Sequence, residues 1–473
     1  MMNKKVMAVA VAGALALPGV ALAQVTISGG FRMSLSQHSI GNVTSFGSLP
    51  AAALGSQLGS ATSRYNATGA AQGNLSETRV ADNVTQVIFQ AREDLGGGLT
   101  AVGRFEWRPT MDGAGNIGGN LGSGTSAGTN FVGVESRTMG TLRFGSVTTY
   151  SGAGGTGGPF SSDRGLAFAG NVGITQQIGT GAVVAAGQTS ATQQTNFGQG
   201  RHTNSITWNS PNWSGFTLTG VYSTQNAGND ADLATPAAGA NGAARKGQLM
   251  VLAPGYATGG LSLQYIYMDN KVDGFTANAV ASTTTFVTLG SAGAGAATGN
   301  GSTALAGAGG SLAVRDVKAH KAWATYDFGN GFALSGVWSR ATLTNAYTGT
   351  LAQTNVSGGN KLSEKTVWML TGKYATGPHT FAMDYTKAGS DKIVVNALGQ
   401  TGNTGAKQWS ANWMYELSKR TEVGLTYTKI SNDTLTANGP QDTAVNALGA
   451  TGTAGNNAGE SFTIWGGNIT HKF

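Results

Sequence analysis

Apolar and polar residues alternate one by one along many short segments of this chain. Between residues 99 and 108, the odd-numbered positions are apolar or small, and the even-numbered positions include Arg104, Glu106 and Arg108. Alternation with a period of two is typical of a β-strand with two different faces. A soluble sandwich buries its apolar face, whereas a closed membrane barrel turns that face towards lipid and keeps the charged face in water. The repeated full charges favour the barrel.

The alternation predicts about sixteen strands, an even number as bacterial barrels of one chain require. The predicted strands are 25–37, 84–92, 99–108, 129–135, 141–145, 203–209, 216–223, 248–253, 261–268, 318–326, 332–340, 366–374, 380–387, 408–416, 422–429 and 461–473. Short turns alternate with long connections, the first of which runs to about Asp82. The predicted fold class is therefore all-β, a transmembrane antiparallel β-barrel with short periplasmic turns and long extracellular loops.

Composition and charge exclude several other classes of protein. Of the 473 residues, 75 are glycine, none is cysteine and 11% are charged, whereas soluble proteins average about 25% charged residues. No apolar run of about 18 residues follows the N-terminal segment, which excludes a helical membrane protein. The formal charge of +7 contains no run of lysines and arginines, so no nucleic-acid partner is expected.

The two ends of the chain carry features of an exported protein. Lys4 and Lys5 precede the apolar stretch 6–17, and small residues follow up to Ala23, which is typical of a cleavable signal peptide over residues 1–23. A transmembrane anchor is the alternative, but the apolar stretch is too short for one. The mature chain is expected to be the barrel, 24–473, with a charge of +5 once the two lysines are removed.

Aromatic residues are predicted to mark the edges of the apolar wall. Trp107, Trp338, Trp368 and Tyr385 lie on outward faces of predicted strands. In membrane barrels, tryptophan and tyrosine form girdles where the apolar wall meets the lipid headgroups. These four residues are interpreted as part of such girdles.

Several short segments resemble a known family. Residues 93–99 (EDLGGGL), 204–211 (NSITWNSP), 415–421 (YELSKRT) and 471–473 (HKF) are similar to segments of the general porins of Gram-negative bacteria, especially the β-proteobacterial type. The resemblance implies an outer-membrane location and a homotrimer of sixteen-stranded barrels. Each barrel would hold a water-filled pore narrowed by an inward-folded third loop. The implied partners are small hydrophilic solutes and ions, outer-membrane lipids and lipopolysaccharide.

The chain departs from that family at the pore. These porins usually carry an acid at the position of Arg32 and several acids on the third loop. Here the third loop, 146–199, contains only Asp163 and Arg164 as charged residues. The loop is still expected to fold into the lumen, but with almost no charge.

The inward faces of the first five predicted strands are rich in arginine. The predicted pore-lining residues are Arg32, Arg92, Arg104, Glu106, Arg108, Arg143, Asp163, Arg164, Asp384 and Glu416. A basic wall in a narrow aqueous lumen raises the local concentration of anions, so the pattern favours an anion-preferring channel. In the alternative interpretation, Glu106 pairs with Arg104 or Arg108 and no selectivity results.

Three other functions stay open as alternatives. A barrel hydrolase would need converging serine and histidine side chains, but none of the five histidines adjoins a Gly-x-Ser-x-Gly motif. No enzyme activity, catalytic residue, cofactor or metal site is therefore predicted. A substrate-specific channel is suggested by the long third loop, and an adhesin or structural barrel with little conductance by the long surface loops.

Overall fold

The structure is a computed structural model that describes residues 24–41, 75–82, 85–109, 111, 128–148, 201–223, 246–273, 315–345, 361–390, 405–433 and 461–473. The described strands form one antiparallel sheet. They are β1 (Gln24–Gly41), β2 (Leu75–Asp82), β3 (Gln86–Gly96), β4 (Leu99–Trp107), β5 (Asn130–Ser136), β6 (Gly140–Thr148), β7 (Arg201–Asn209), β8 (Phe216–Ser223), β9 (Lys246–Thr258), β10 (Leu261–Asp273), β11 (Arg315–Asp327), β12 (Phe332–Asn345), β13 (Lys361–Thr376), β14 (His379–Ala388), β15 (Ala406–Glu416), β16 (Thr421–Asn432) and β17 (Ser461–Lys472). Within these ranges no helix is long and apolar enough to span a membrane.

The sheet closes on itself through β1. One edge of β1 pairs with β17, and the other pairs with β3 along its first half and with β2 along its second half. Because β2 and β3 share one place in the wall, the strands occupy sixteen positions. The predicted closed barrel of about sixteen strands is confirmed, since every strand pairs antiparallel with its neighbours.

The strand β2 corrects one prediction, because it lies inside the region assigned to the first long loop. Its outward positions include Ser76 and Thr78, and only Val80 is a large apolar residue exposed there. The alternation of apolar and polar residues in β2 is therefore too weak to predict a strand. At the break between β2 and β3, the Thr85 N–H donates to Asp82 Oδ1 at 2.8 Å, and the Thr85 hydroxyl accepts from the Arg32 N–H at 3.1 Å.

The two faces of the wall differ as the alternation requires. On β1, Val25 and Leu35 point outward and are 63% and 58% exposed, whereas Ser34, Ser36 and His38 are buried on the inward face. In the hydrocarbon of a membrane, a closed barrel leaves no strand edge without hydrogen bonds. The apolar outward face is thus the lipid-facing surface.

The short turns lie at the end of the barrel where the chain enters β1, which is the periplasmic end. Gly140, the first residue of β6 after a short turn, has a φ of +85°, and a Cβ there would lie 2.1 Å from the Asn209 carbonyl oxygen. At the same end, the Phe473 N–H donates to the Gly29 carbonyl at 3.2 Å, and the Gly29 N–H donates back at 3.3 Å. Phe473 therefore continues the pairing of β1 with β17 by two hydrogen bonds.

The outward aromatic residues gather in rings around the wall. Trp368 and Tyr385 have ring centroids 5.2 Å apart, and Tyr385 and Trp409 have centroids 4.3 Å apart. Trp338 and Trp368 are each 41% exposed. These residues lie on the outward faces of β12 to β15, Trp338 and Trp368 near the middle of their strands and Tyr385 and Trp409 towards the end away from the short turns.

The inward face is not polar throughout, contrary to the sequence prediction. A buried apolar cluster, here called the inner apolar band, follows the inward faces of β8 to β17. Its members are Val221, Leu249, Val251, Ala253, Ile266, Met268, Ala319, Ala341, Val367, Ala388, Ala406, Ile430, Phe462 and Ile464. The inward face of β1 to β7, which contributes none of these residues, is here called the polar wall. The inward faces of β10 to β17 are mixed, because they also carry buried polar side chains such as Thr386, Ser410 and Thr428.

Candidate pore lining

The polar wall centres on Glu106 of β4, which is only 2% exposed. Its carboxylate accepts a hydrogen bond from Arg104 Nη2 at 2.8 Å and another from Arg108 Nε at 2.7 Å. The backbone N–H of Thr129 adds a third at 3.3 Å. One negative charge is thus shared by two guanidinium groups, because strand alternation puts residues 104, 106 and 108 on the same face. The triad keeps one net positive charge.

Arg143 of β6 extends this basic wall. Its guanidinium lies over the Phe131 ring, with the central carbon 4.7 Å from the ring centroid, and Phe131 stands opposite Arg104 in the β4–β5 register. Among the described residues, no carboxylate forms a salt bridge with Arg143. The aromatic face stabilises the cation without cancelling its charge.

The wall continues along the first two strand positions. Arg32 lies on the inward face of β1, and Arg79 of β2, 8% exposed, lies opposite Ser36. Nearer the periplasmic end, Arg92 pairs with Glu135 at 3.0 Å, and both side chains are well exposed. Exposed ion pairs such as Arg92–Glu135 contribute little to stability. The Glu106 triad differs from this pair because the Glu106 side chain is buried.

Acids and one lysine occupy the inward faces on the other side of the barrel. Asp384 of β14 is 6% exposed and accepts a hydrogen bond from Ser410. Glu422 lies 3.9 Å from Lys472, and Glu416 is exposed at the periplasmic end of β15. Lys321 of β11 is buried on the inward face. The opposite side therefore carries charges of both signs.

The inward faces thus hold the predicted residues Arg32, Arg92, Arg104, Glu106, Arg108, Arg143, Asp384 and Glu416. Whether they line the conducting pore stays a prediction. Asp163 and Arg164, with most of the segment 146–199, lie outside the described residues. Sequence reasoning missed Arg79, which lies in a predicted loop, and Lys321, which lies in the predicted strand 318–326 but was not assigned to a face of the barrel.

Residues 8–435 match the family model of the Gram-negative porins. The chain belongs to the Gram-negative porin family. This porin is accordingly a channel of the outer membrane, and the proposed resemblance is confirmed. No curated protein sequence matches it.

Solved structures share the fold of this porin. An anion-selective porin from Comamonas acidovorans is 18% identical with a TM-score of 0.58, over 95% of this chain and 100% of that one. The trimer form of OmpT, an outer membrane protein of Vibrio cholerae, is 10% identical with a TM-score of 0.52, over 95% and 99% of the two chains. At these identities the likeness concerns the fold alone.

Proposed function

We propose that this porin conducts small hydrophilic solutes and ions by passive diffusion and prefers anions. The observation that carries the proposal is the composition of the polar wall. Glu106 is shared between Arg104 and Arg108, and Arg143 has no salt bridge among the described residues. Pairing therefore leaves the wall basic.

The sign of the wall decides selectivity through the potential in the lumen. A lumen lined by one sign of charge focuses the field and enriches the counter-ion. Arginine keeps its charge at every physiological pH, so the preference does not depend on protonation of the wall. The Comamonas acidovorans porin is described as anion-selective, which agrees with this proposal.

The remaining features of the proposal follow the family expectation. Residues 1–23 are a signal peptide, and the mature barrel assembles as a homotrimer among outer-membrane lipids and lipopolysaccharide. The protein is not an enzyme. The trimer form of the Vibrio cholerae OmpT structure supports the oligomeric state.

The test is the reversal potential of single channels in a planar bilayer under a KCl gradient. The wild type should prefer chloride, and the double variant R104Q/R143Q should move the reversal potential towards potassium selectivity. R137Q, in the exposed turn before β6, is the control and should leave it unchanged. An unchanged potential in the double variant would remove the two arginines from the mechanism. Saturating flux of one solute would instead indicate a substrate-specific channel. The absence of conductance steps would indicate an adhesin or structural barrel.

A further inference from the structure

Arg143 of β6 stands between two different partners on the inward face of β5. Gly133 lies directly opposite it in the register of the two strands. Phe131 lies diagonally on the extracellular side of Gly133, and Glu135 lies diagonally on the periplasmic side. Diagonal neighbours on paired strands are about 7–8 Å apart, which is within reach of a long side chain. The register therefore lets the Arg143 guanidinium lie over the phenyl ring or beside the carboxylate.

The structure shows Arg143 on the aromatic side. Its guanidinium carbon is 4.7 Å from the centroid of the Phe131 ring, and its buried Nε has no hydrogen-bond partner among the described residues. Gly133 makes this position accessible, because a Cβ there would lie 3.2 Å from Cγ of Arg143 and 2.2 Å from the Leu142 carbonyl oxygen. The absence of a side chain at residue 133 therefore leaves room for the arginine stem to cross towards the ring.

Glu135 is the partner that Arg143 does not take. Its carboxylate forms a salt bridge of 3.0 Å with Arg92, and it also acts electrostatically on Arg143. Glu106, on the neighbouring strand β4, shows that one carboxylate of the polar wall can hold two arginines. Glu135 is therefore available to Arg143 if the guanidinium turns towards the periplasm.

The choice between these partners decides where the uncancelled positive charge lies. A phenyl ring attracts a cation but carries no net charge, so Arg143 over Phe131 keeps its full field in the lumen. If Arg143 turned to Glu135, the carboxylate would cancel that charge, and the uncancelled charge would pass to Arg92. Arg92 lies three strand positions away on β3, about 14 Å around the wall, and nearer the periplasmic end.

We propose that Phe131 is a specificity-determining residue of this porin, because its ring keeps Arg143 away from Glu135. Phe131 acts through the arginine and is therefore a positioning residue. The inference rests on the proposed anion preference and names an uncharged residue that maintains it. Phe131 also stands opposite Arg104 in the β4–β5 register, so the ring lies beside two arginines of the polar wall.

The test compares variants of the full-length porin by the reversal potential of single channels under a KCl gradient at low salt. R143Q removes one charge and should lower the ratio of chloride to potassium permeability about sevenfold. F131L moves the uncancelled charge from about 7 Å to about 12 Å from an ion at the level of Arg143, so it should lower the ratio about twofold. F131Y keeps the ring and should retain the wild-type ratio. The control F144L alters an outward phenylalanine of β6 and should also retain it.

The double variant F131L/E135Q separates positioning from packing. E135Q removes the carboxylate to which Arg143 would turn, so F131L should lower the ratio in the wild-type background and not in the E135Q background. Such non-additivity is expected when both residues act on one arginine. An equal twofold change in both backgrounds would assign Phe131 a packing role and overturn the proposal.

The remaining outcomes also decide the role of Phe131. A wild-type ratio in F131L, or a ratio in F131Y as low as that of F131L, would overturn it. If R143Q lowers the ratio and F131L does not, only the role of Phe131 is wrong. If R143Q leaves the ratio unchanged, the contribution of Arg143 to anion preference is wrong as well. F131M, which keeps much of the side-chain volume without a ring, gives the same comparison if F131L does not form channels.

Discussion

Glu106→Gln should make the channel more selective for anions, although it alters a residue between two arginines. The substitution keeps the size of the side chain and removes one negative charge, so the net charge of the triad rises by one. An ion passing at about 7 Å from that site in water changes its energy by about 0.6 kcal/mol, close to RT. Chloride becomes more stable and potassium less stable by this amount, so the ratio of chloride to potassium permeability should rise about sevenfold at low salt.

The assay is the reversal potential of single channels across a KCl gradient, measured at low and at high ionic strength. The shift should shrink as salt rises, because the screening length falls to about 3 Å at 1 M. Glu93→Gln is the matched control, since Glu93 is exposed next to a periplasmic turn. That variant should leave the reversal potential where it is.

The same substitution should weaken the barrel, because the glutamine amide keeps an acceptor oxygen for only one of Arg104 and Arg108 and turns an NH2 donor towards the other. Both side chains are about a quarter exposed, so water in the lumen compensates in part, and the loss should be about 1–3 kcal/mol. A shift of selectivity towards cations, or none in a folded Glu106→Gln barrel, would refute the electrostatic reasoning.

Two further predictions concern the seam and the break in the wall. Gly29→Ala should lower the urea midpoint of unfolding by the equivalent of about 2 kcal/mol or more, because the new Cβ would lie 2.2 Å from the Gln86 carbonyl oxygen. The control Gly220→Ala should leave the midpoint unchanged, because the space around Gly220 is open. Equal midpoints in the two variants would contradict this account. Thr85→Val should lower the free energy of unfolding by about 1–3 kcal/mol, because it leaves the Arg32 N–H without its acceptor. Tryptophan fluorescence during urea unfolding measures this change. A midpoint equal to that of the wild type would show that water replaces the hydroxyl.

The lipid-facing half of the fold could be predicted from sequence because lipid imposes one rule, which is that every outward position in contact with it carries an apolar side chain. Val25, Leu35 and Trp338 obey it, and their alternation with polar residues located most strands. The rule fails beyond the girdle, where outward residues meet headgroups and water. For that reason the alternation assigned Thr78 of β2 to a loop.

The inward face of the barrel was predicted less well because some inward positions carry polar side chains and others carry buried apolar ones. Arg104, Glu106 and Arg108 could be assigned to one face by counting, but the sharing of Glu106 between two arginines depends on side-chain geometry that spacing does not specify. Leu249 and Met268 face inward, although alternation alone assigned inward positions to water. Their burial depends on neighbours that are distant in sequence.

The hydrogen bonds between Gly29 and Phe473 also constrain how this molecule is made. They join the first strand to Phe473, so this part of the seam cannot form until the chain has been delivered as far as that residue. Until then β1 and β17 are both open edges, and in hydrocarbon each unpaired backbone group costs several kcal/mol. Contacts of such large sequence separation form slowly, and exposed edges recruit other chains. Biogenesis of this barrel therefore requires that both strand edges be kept from pairing with other chains until β17 and Phe473 have been delivered.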